Sequence, residues 1–188
     1  MTPNVCAIVG ALSDSSNAVE PKLFPSNLEQ AQRPGMYAWW GDDDARTLLG
    51  GELGVDLPPL LYVGQAGATK WPSGKRSTAT LATRIGRQHI RGNARSSTFR
   101  RTISALLLDQ LELVPAGGGR LDRPSNAVVS QWIAEHLTVG IASVDDRDAL
   151  GRVEQAVLDQ LDPPLNLDRC PSSAARARLT ALRARISR

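Results

Sequence analysis

Cysteine is almost missing from this chain of 188 residues: Cys6 and Cys170 are the only two, far apart in sequence. That is too few for a disulfide framework or a zinc site. Long apolar runs are missing too. No stretch approaches the roughly 20 residues a membrane helix needs. The longest N-terminal run, Val5 to Leu12, has no basic residue before it, whereas a secretory signal starts positive. This reads as a soluble, cytoplasmic protein with no membrane partner. No fixed period recurs, which removes solenoids and propellers. Aromatics make up 4% of the chain, with two tyrosines, Tyr37 and Tyr62. Residues used so sparingly carry more information by their positions.

Acidic residues are missing from two stretches. Between Leu57 and Leu108 there are nine Lys or Arg and no acid, and between Arg169 and Arg188 six Arg and no acid. The other segments carry the opposite sign: residues 1–56 have eight acids against three bases, and 109–168 have eleven against four. The net charge of +3 therefore hides a segregation that points to a polyanion footprint, nucleic acid being the usual candidate. For a basic block taken alone, a solvated helix face in a chain with 19 Arg and 3 Lys is an equally good reading.

What is present is enough for one domain. With 41% hydrophobic and 22% charged residues, a chain of this size buries a core without staples. Residues 1–33 are poorly patterned and read as an N-terminal arm or a short helix. After the turn signal Pro34-Gly35, Met36 to Trp40 reads as a short buried strand. Leu60 to Val63 reads as a second, closed by Gly64 and able to pair antiparallel with the first. Between them, Gly41 to Pro59 is a polar insertion in which Asp42-Asp43-Asp44 starts a short helix. Gln65 to Thr78 is a loop. Thr80 caps a helix over about Leu81–Arg91 that Gly92 ends. Ser96-Ser97 caps the next, with Phe99, Ile103, Leu106 and Leu107 inward. Pro115–Pro124 is a Gly-rich surface loop, and Asn126–His136 is helical. Leu137–Val144 is the third strand. Asp145-Asp146 start a helix that runs to about Leu161 and that Pro163-Pro164 stop. Ser172-Ser173 open a basic C-terminal helix with Leu179, Leu182 and Ile186 on its packed side. The order predicts an α+β layer fold: a small, mostly antiparallel three-stranded sheet flanked by helices.

Four signals stand in order along the chain: Gly35-Met36-Tyr37, Tyr62-Val63-Gly64, Arg84 on the first main helix with His89 after it, and Glu154 followed by Pro163-Pro164-Leu165-Asn166. In this arrangement the chain resembles the GIY-YIG nuclease family, from about Gly35 to Asn166. Met36 and Val63 stand where the family has isoleucine, conservative changes for packing. The stretch between the triplets, the Gln65–Thr80 loop and Pro115–Pro124 are insertions. The resemblance implies a nuclease domain over 34–170, preceded by the arm (1–33) and followed by a basic helix (171–188) packed on it.

It also implies a DNA endonuclease dependent on one divalent ion, Mg²⁺ or Mn²⁺, with Glu154 as the metal ligand. A carboxylate suits a hard ion that keeps several waters. Arg84 is expected to clamp the scissile phosphate, since a guanidinium fork matches phosphate and stays charged. Tyr37 and Tyr62 are expected to orient or deprotonate the attacking water, with a nearby cation favouring the phenolate. His89 is a candidate for proton transfer or for binding the phosphate. Restriction-type members carry a histidine close after the helix arginine, and the offset here differs by about one residue. Gly35, Gly64 and Asn166 are expected to shape the site. Lys70, Lys75, Arg76, Arg87, Arg91 and Arg95 are candidate substrate contacts, because phosphates are met mainly by Lys and Arg. A restriction or defence role would bring a homodimer on palindromic DNA. The alternatives are a repair or structure-specific nuclease, and a nucleic-acid-binding module without turnover.

Overall fold

The computed structural model describes residues 4–24 and 29–187. Parts of the arm (1–3 and 25–28) and the final arginine of the C-terminal basic stretch lie outside the described residues. Three strands form one antiparallel sheet in the order β2-β1-β3, with β1 (Gly35–Gly41) between β2 (Leu60–Ala66) and β3 (Leu137–Ser143). Side chains alternate across a strand, so β1 sends Met36 and Ala38 to one face and Tyr37 and Trp39 to the other. The register sets Tyr37 opposite Gly64 and Trp39 opposite Tyr62.

On the Met36 face lie α1 (Val5–Ser13) and α5 (Leu150–Leu161), whose Ile8, Leu12, Leu150, Val153 and Val157 bury against Met36, Ala38 and Val63. The other face meets a helix over Ala82–Ile90 and α3 (Thr98–Leu106). Around these pack α2 (Asp43–Leu53), α4 (Arg123–His136) and α6 (Ala174–Ser187). This is the α+β architecture expected from the order of strands and helices.

Both sheet edges are occupied by short segments of the same chain. Val19 exchanges two backbone hydrogen bonds with Val139 of β3, at 3.0 and 2.9 Å. At the β2 edge, Leu165 N–H donates to Leu61 C=O at 3.0 Å. There the Asn166 side chain accepts from Val63 N–H at 2.9 Å and donates to Val63 C=O at 2.8 Å.

Two helices differ from their expected form. The segment Ala82–Ile90 is wound as a π-helix, closed by Arg91 N–H donating to Gly86 C=O, five residues back, at 3.2 Å. Hydrophobic periodicity does not distinguish this winding from an α-helix, and π-turns concentrate at functional sites. The helix expected from Asp145 begins at Leu150 instead. The Asp146 carboxylate accepts from the N–H groups of Asp148 and Ala149, both at 3.0 Å. That holds a turn ahead of the helix and leaves Arg147 and Asp148 to bind the loop after β2.

The basic stretches are not wholly a surface footprint. Arg100 is fully buried. Its guanidinium donates to the carbonyls of His89 and Ile90 at 3.1 and 3.0 Å, to Asn126 Oδ1 at 3.1 Å, and to Ser130 Oγ at 2.8 Å. Arg176 is also buried and donates to the carbonyls of Asn166 and Pro163 at 2.9 and 3.1 Å. These two arginines satisfy otherwise orphaned buried carbonyls, which is structural work.

Candidate active site

A pocket of about 240 Å³ lies beside the β2 edge. Its walls include Tyr37, Tyr62, Gly64, Arg84, His89, Glu154 and Asn166. Five elements supply them: β1, β2, the π-helix, α5, and the turn segment after Pro163-Pro164. Both phenols leave the sheet on the same face, with ring centroids 6.5 Å apart. Tyr37 crosses over Gly64, where any Cβ would collide with its hydroxyl. Glycine is therefore required by close approach, as it is at Gly35, where a Cβ would strike the Ala142 carbonyl of β3.

The π-winding decides where His89 points. Residues five apart diverge on an α-helix, but a helix closed by i→i−5 bonds returns them to one side. Arg84 and His89 thus share the pocket wall, and the unusual offset is absorbed by the winding. His89 Nε2 is 2.7 Å from the Tyr37 hydroxyl, and its Nδ1 is 2.7 Å from Ser97 Oγ. Ser97 caps α3, its Oγ accepting from Arg100 N–H at 3.0 Å. Phe99 packs against Trp39, Tyr62 and His89 with centroids 4.5, 5.3 and 5.3 Å away.

Burial dominates the electrostatics. It pushes the Tyr37 phenol well above its ordinary range. Tyr62 and Glu154 push the same way, and Arg84 alone opposes. Burial raises Tyr62 too, with Glu154 adding to the shift. Both phenols are neutral at physiological pH, so the expectation that the nearby arginine favours a phenolate gives way to desolvation. Burial, then the charges of Arg84 and Arg100, holds His89 well below the usual imidazole range, so its ring is neutral. Burial also raises Glu154, against the pull of Arg169 and Arg84.

Glu154 meets Arg169 at 3.4 Å, a long contact. Arg84 donates to Gln88 Oε1 at 2.9 Å, while its buried Nε has no partner among the described residues. A carboxylate and a guanidinium that are both incompletely satisfied at one pocket fit a cation and a phosphate. Among the described residues no three His, Cys, Asp or Glu side chains cluster as metal ligands. Glu154 therefore fits an ion that keeps most of its waters, as Mg²⁺ does, and does not fit an all-protein cage.

None of Lys70, Lys75, Arg76, Arg87, Arg91 and Arg95 lines the pocket. All six are exposed, and Arg76 pairs with Asp148 at 3.4 Å. Sequence reasoning missed Asp168 and Arg169, which do line it. No sequence signal placed them, because the chain after Pro163-Pro164 runs through successive turns, with Asn166 N–H donating to Pro163 C=O at 3.2 Å and Arg169 at a φ of 63°. Ser97 and Arg176 were missed as supports because a capping serine and a helix arginine look ordinary in sequence.

An aromatic-lined pocket with a half-buried carboxylate and a guanidinium is the arrangement expected of a class, proteins that act on phosphodiesters. A family model described as GIY-YIG catalytic domain matches residues 52–185, more than half of the chain. The chain belongs to this GIY-YIG family, and it is a nuclease of that type. Tyr62, Arg84, His89, Glu154 and Asn166 lie within the matched residues, whereas β1 with Tyr37 precedes them. No curated protein and no solved structure matches the chain. Among the described residues no helix is long and apolar enough to cross a membrane.

Proposed function

We propose that the protein is a DNA endonuclease that hydrolyses phosphodiester bonds with the help of one divalent ion, Mg²⁺ or Mn²⁺, at Glu154. The observation that carries this reading is the convergence of Tyr37, Tyr62, Arg84, His89 and Glu154 on one pocket. When bound, the ion supplies Lewis-acid stabilisation of charge on the phosphate and leaving oxygen. The remaining work falls to the chain. Arg84 turns its unpartnered Nε to the scissile phosphate and steadies the charge that grows on it. The Tyr37 oxygen accepts a hydrogen bond from the attacking water and takes its proton as the phenol proton passes to His89 Nε2. This needs the tautomer whose Nδ1–H donates to Ser97 Oγ. Tyr62 fixes the water from the other side. Asn166 and Gly64 hold the edge backbone and the space in which the Tyr37 hydroxyl sits. Lys70, Lys75, Arg76, Arg87, Arg91 and Arg95 meet backbone phosphates outside the pocket.

The test is plasmid cleavage with Mg²⁺ or Mn²⁺, comparing wild type with Glu154→Ala and Arg84→Ala. Cleavage lost in both variants and in chelator supports the reading, and undiminished cleavage in both sinks it. Within this reading we favour a restriction or defence role in the cytoplasm, with a homodimer on palindromic sites. A fixed fragment pattern on linear DNA separates that role from a structure-specific repair nuclease, which would cut by shape. DNA binding without turnover under any metal would identify the binding module instead.

A further inference from the structure

The loop joining β2 to the π-helix begins beside Gln65 and ends just before Arg84, both of which line the pocket. It therefore springs from two pocket walls. Its base is stapled. Arg147 Nη1 donates to the carbonyls of Gly67, Ser77 and Ala79 at 2.9, 2.7 and 3.0 Å, and Thr69 Oγ1 donates to Asp148 at 2.5 Å. Beyond the staple, Lys70 and Lys75 pair as an antiparallel bridge, with Lys70 N–H donating to Lys75 C=O at 2.9 Å. Ser73 Oγ closes the tip on the Lys70 carbonyl at 2.9 Å.

This ordered tip holds up Trp71, whose exposure of 66% is unusual for so large an apolar side chain. An indole is normally buried, for the apolar area this removes from water. Here it follows Lys70 in the tip that the Lys70–Lys75 bridge closes; neither lysine has an ion-pair partner among the described residues, and the stretch from Leu57 to Leu108 has no acid. An exposed flat ring on a tip that carries two cations matches a nucleobase with its flanking phosphates. Bases stack on aromatic side chains while lysines follow the backbone. We propose that Trp71 stacks on a base that has left the duplex stack near the scissile phosphate, with Lys70 and Lys75 on the adjacent phosphates. This rests on the nucleic-acid reading of the pocket and deepens it by naming the accessible base as part of the substrate.

The experiment uses the full chain carrying Glu154→Gln. Binding is followed by anisotropy on a blunt duplex and on the same duplex with an internal bubble containing 2-aminopurine. Adding Trp71→Ala is expected to weaken bubble binding about tenfold, with a smaller loss on the blunt duplex. It should also abolish the 2-aminopurine quench while leaving the salt slope unchanged. Trp71→Phe should restore most of both signals. Lys70→Gln with Lys75→Gln should instead make the salt slope shallower by about one to two. Unchanged affinity on Trp71→Ala, equal losses on bubble and duplex, or failure of Trp71→Phe to rescue each overturns the stacking role. Binding by the parent with no cleavage by wild type sinks the nuclease reading and leaves stacking standing. Cleavage by wild type with Trp71→Ala binding like its parent sinks stacking alone.

Discussion

The two faces of the three-stranded sheet are built from the same strands by the same alternation, yet they differ in kind. The Met36 face meets α1 and α5 through aliphatic side chains. The Tyr37 face carries Tyr37, Trp39 and Tyr62 against Phe99 and His89. Both are closely packed. On the first, packing supplies stability, since burying apolar area is the main favourable term in folding. On the second, burial also sets protonation: it keeps two phenols and an imidazole neutral. Damage to one face should therefore appear as lost stability, and damage to the other as lost chemistry.

The largest separation is expected for Arg84→Ala. Cleavage should fall about 1000-fold, as when a charge-stabilising donor is removed, while thermal unfolding hardly moves, because among the described residues the side chain hydrogen-bonds to Gln88 alone. Plasmid cleavage beside a melting curve reads both. Leu150→Ala, on the opposite face and fully buried, should do the reverse. It should cost about 2–5 kcal/mol in denaturant unfolding and leave the rate per folded molecule unchanged. A comparable loss of rate in this variant would break the division between the faces.

Tyr37→Phe should lower cleavage about 100-fold, within the range for lost acid–base help, and keep the ring's packing. The wild-type pH–rate profile should show no limb near the ordinary imidazole value of about 6.5, because His89 titrates well below it. The smallest effect is thermodynamic. The folded pKa of Glu154 lies above its unfolded value. Its charge therefore opposes folding once pH rises through the folded pKa, and does so least below the unfolded one. In chelator, Glu154→Gln should raise the melting temperature at pH 8 and change it little at pH 4, when followed by circular dichroism. Equal effects at both pH values would show that burial of this charge is not what the fold works against.

The aromatic face was largely legible in sequence. Short, continuously apolar runs and turn residues at Pro34-Gly35 and Gly64 mark the strands, and Tyr37 and Tyr62 are conspicuous because tyrosine is rare. The winding around His89 was not legible, since apolar spacing over nine residues does not distinguish i→i−4 from i→i−5 closure. Charge counting overstated the surface. It treated Arg100 and Arg176 like Lys70 or Arg87, although burial of a guanidinium depends on where unpaired carbonyls lie, and that is settled by tertiary packing. Asp168 was not legible either, since it reaches the pocket through the turns that follow Pro163-Pro164, and turn geometry has no period to read.

The amide of Asn166 has a second consequence besides shaping the pocket. A small sheet with a bare outer strand is a template on which further chains can add. Here the side chain of one asparagine takes the place of a neighbouring strand, occupying both hydrogen-bonding groups of Val63. Val19 closes the far side with its main chain instead. Solubility and the shape of the pocket thus depend on the same side chain. A variant that drifts at this position would face aggregation before it could explore a new specificity.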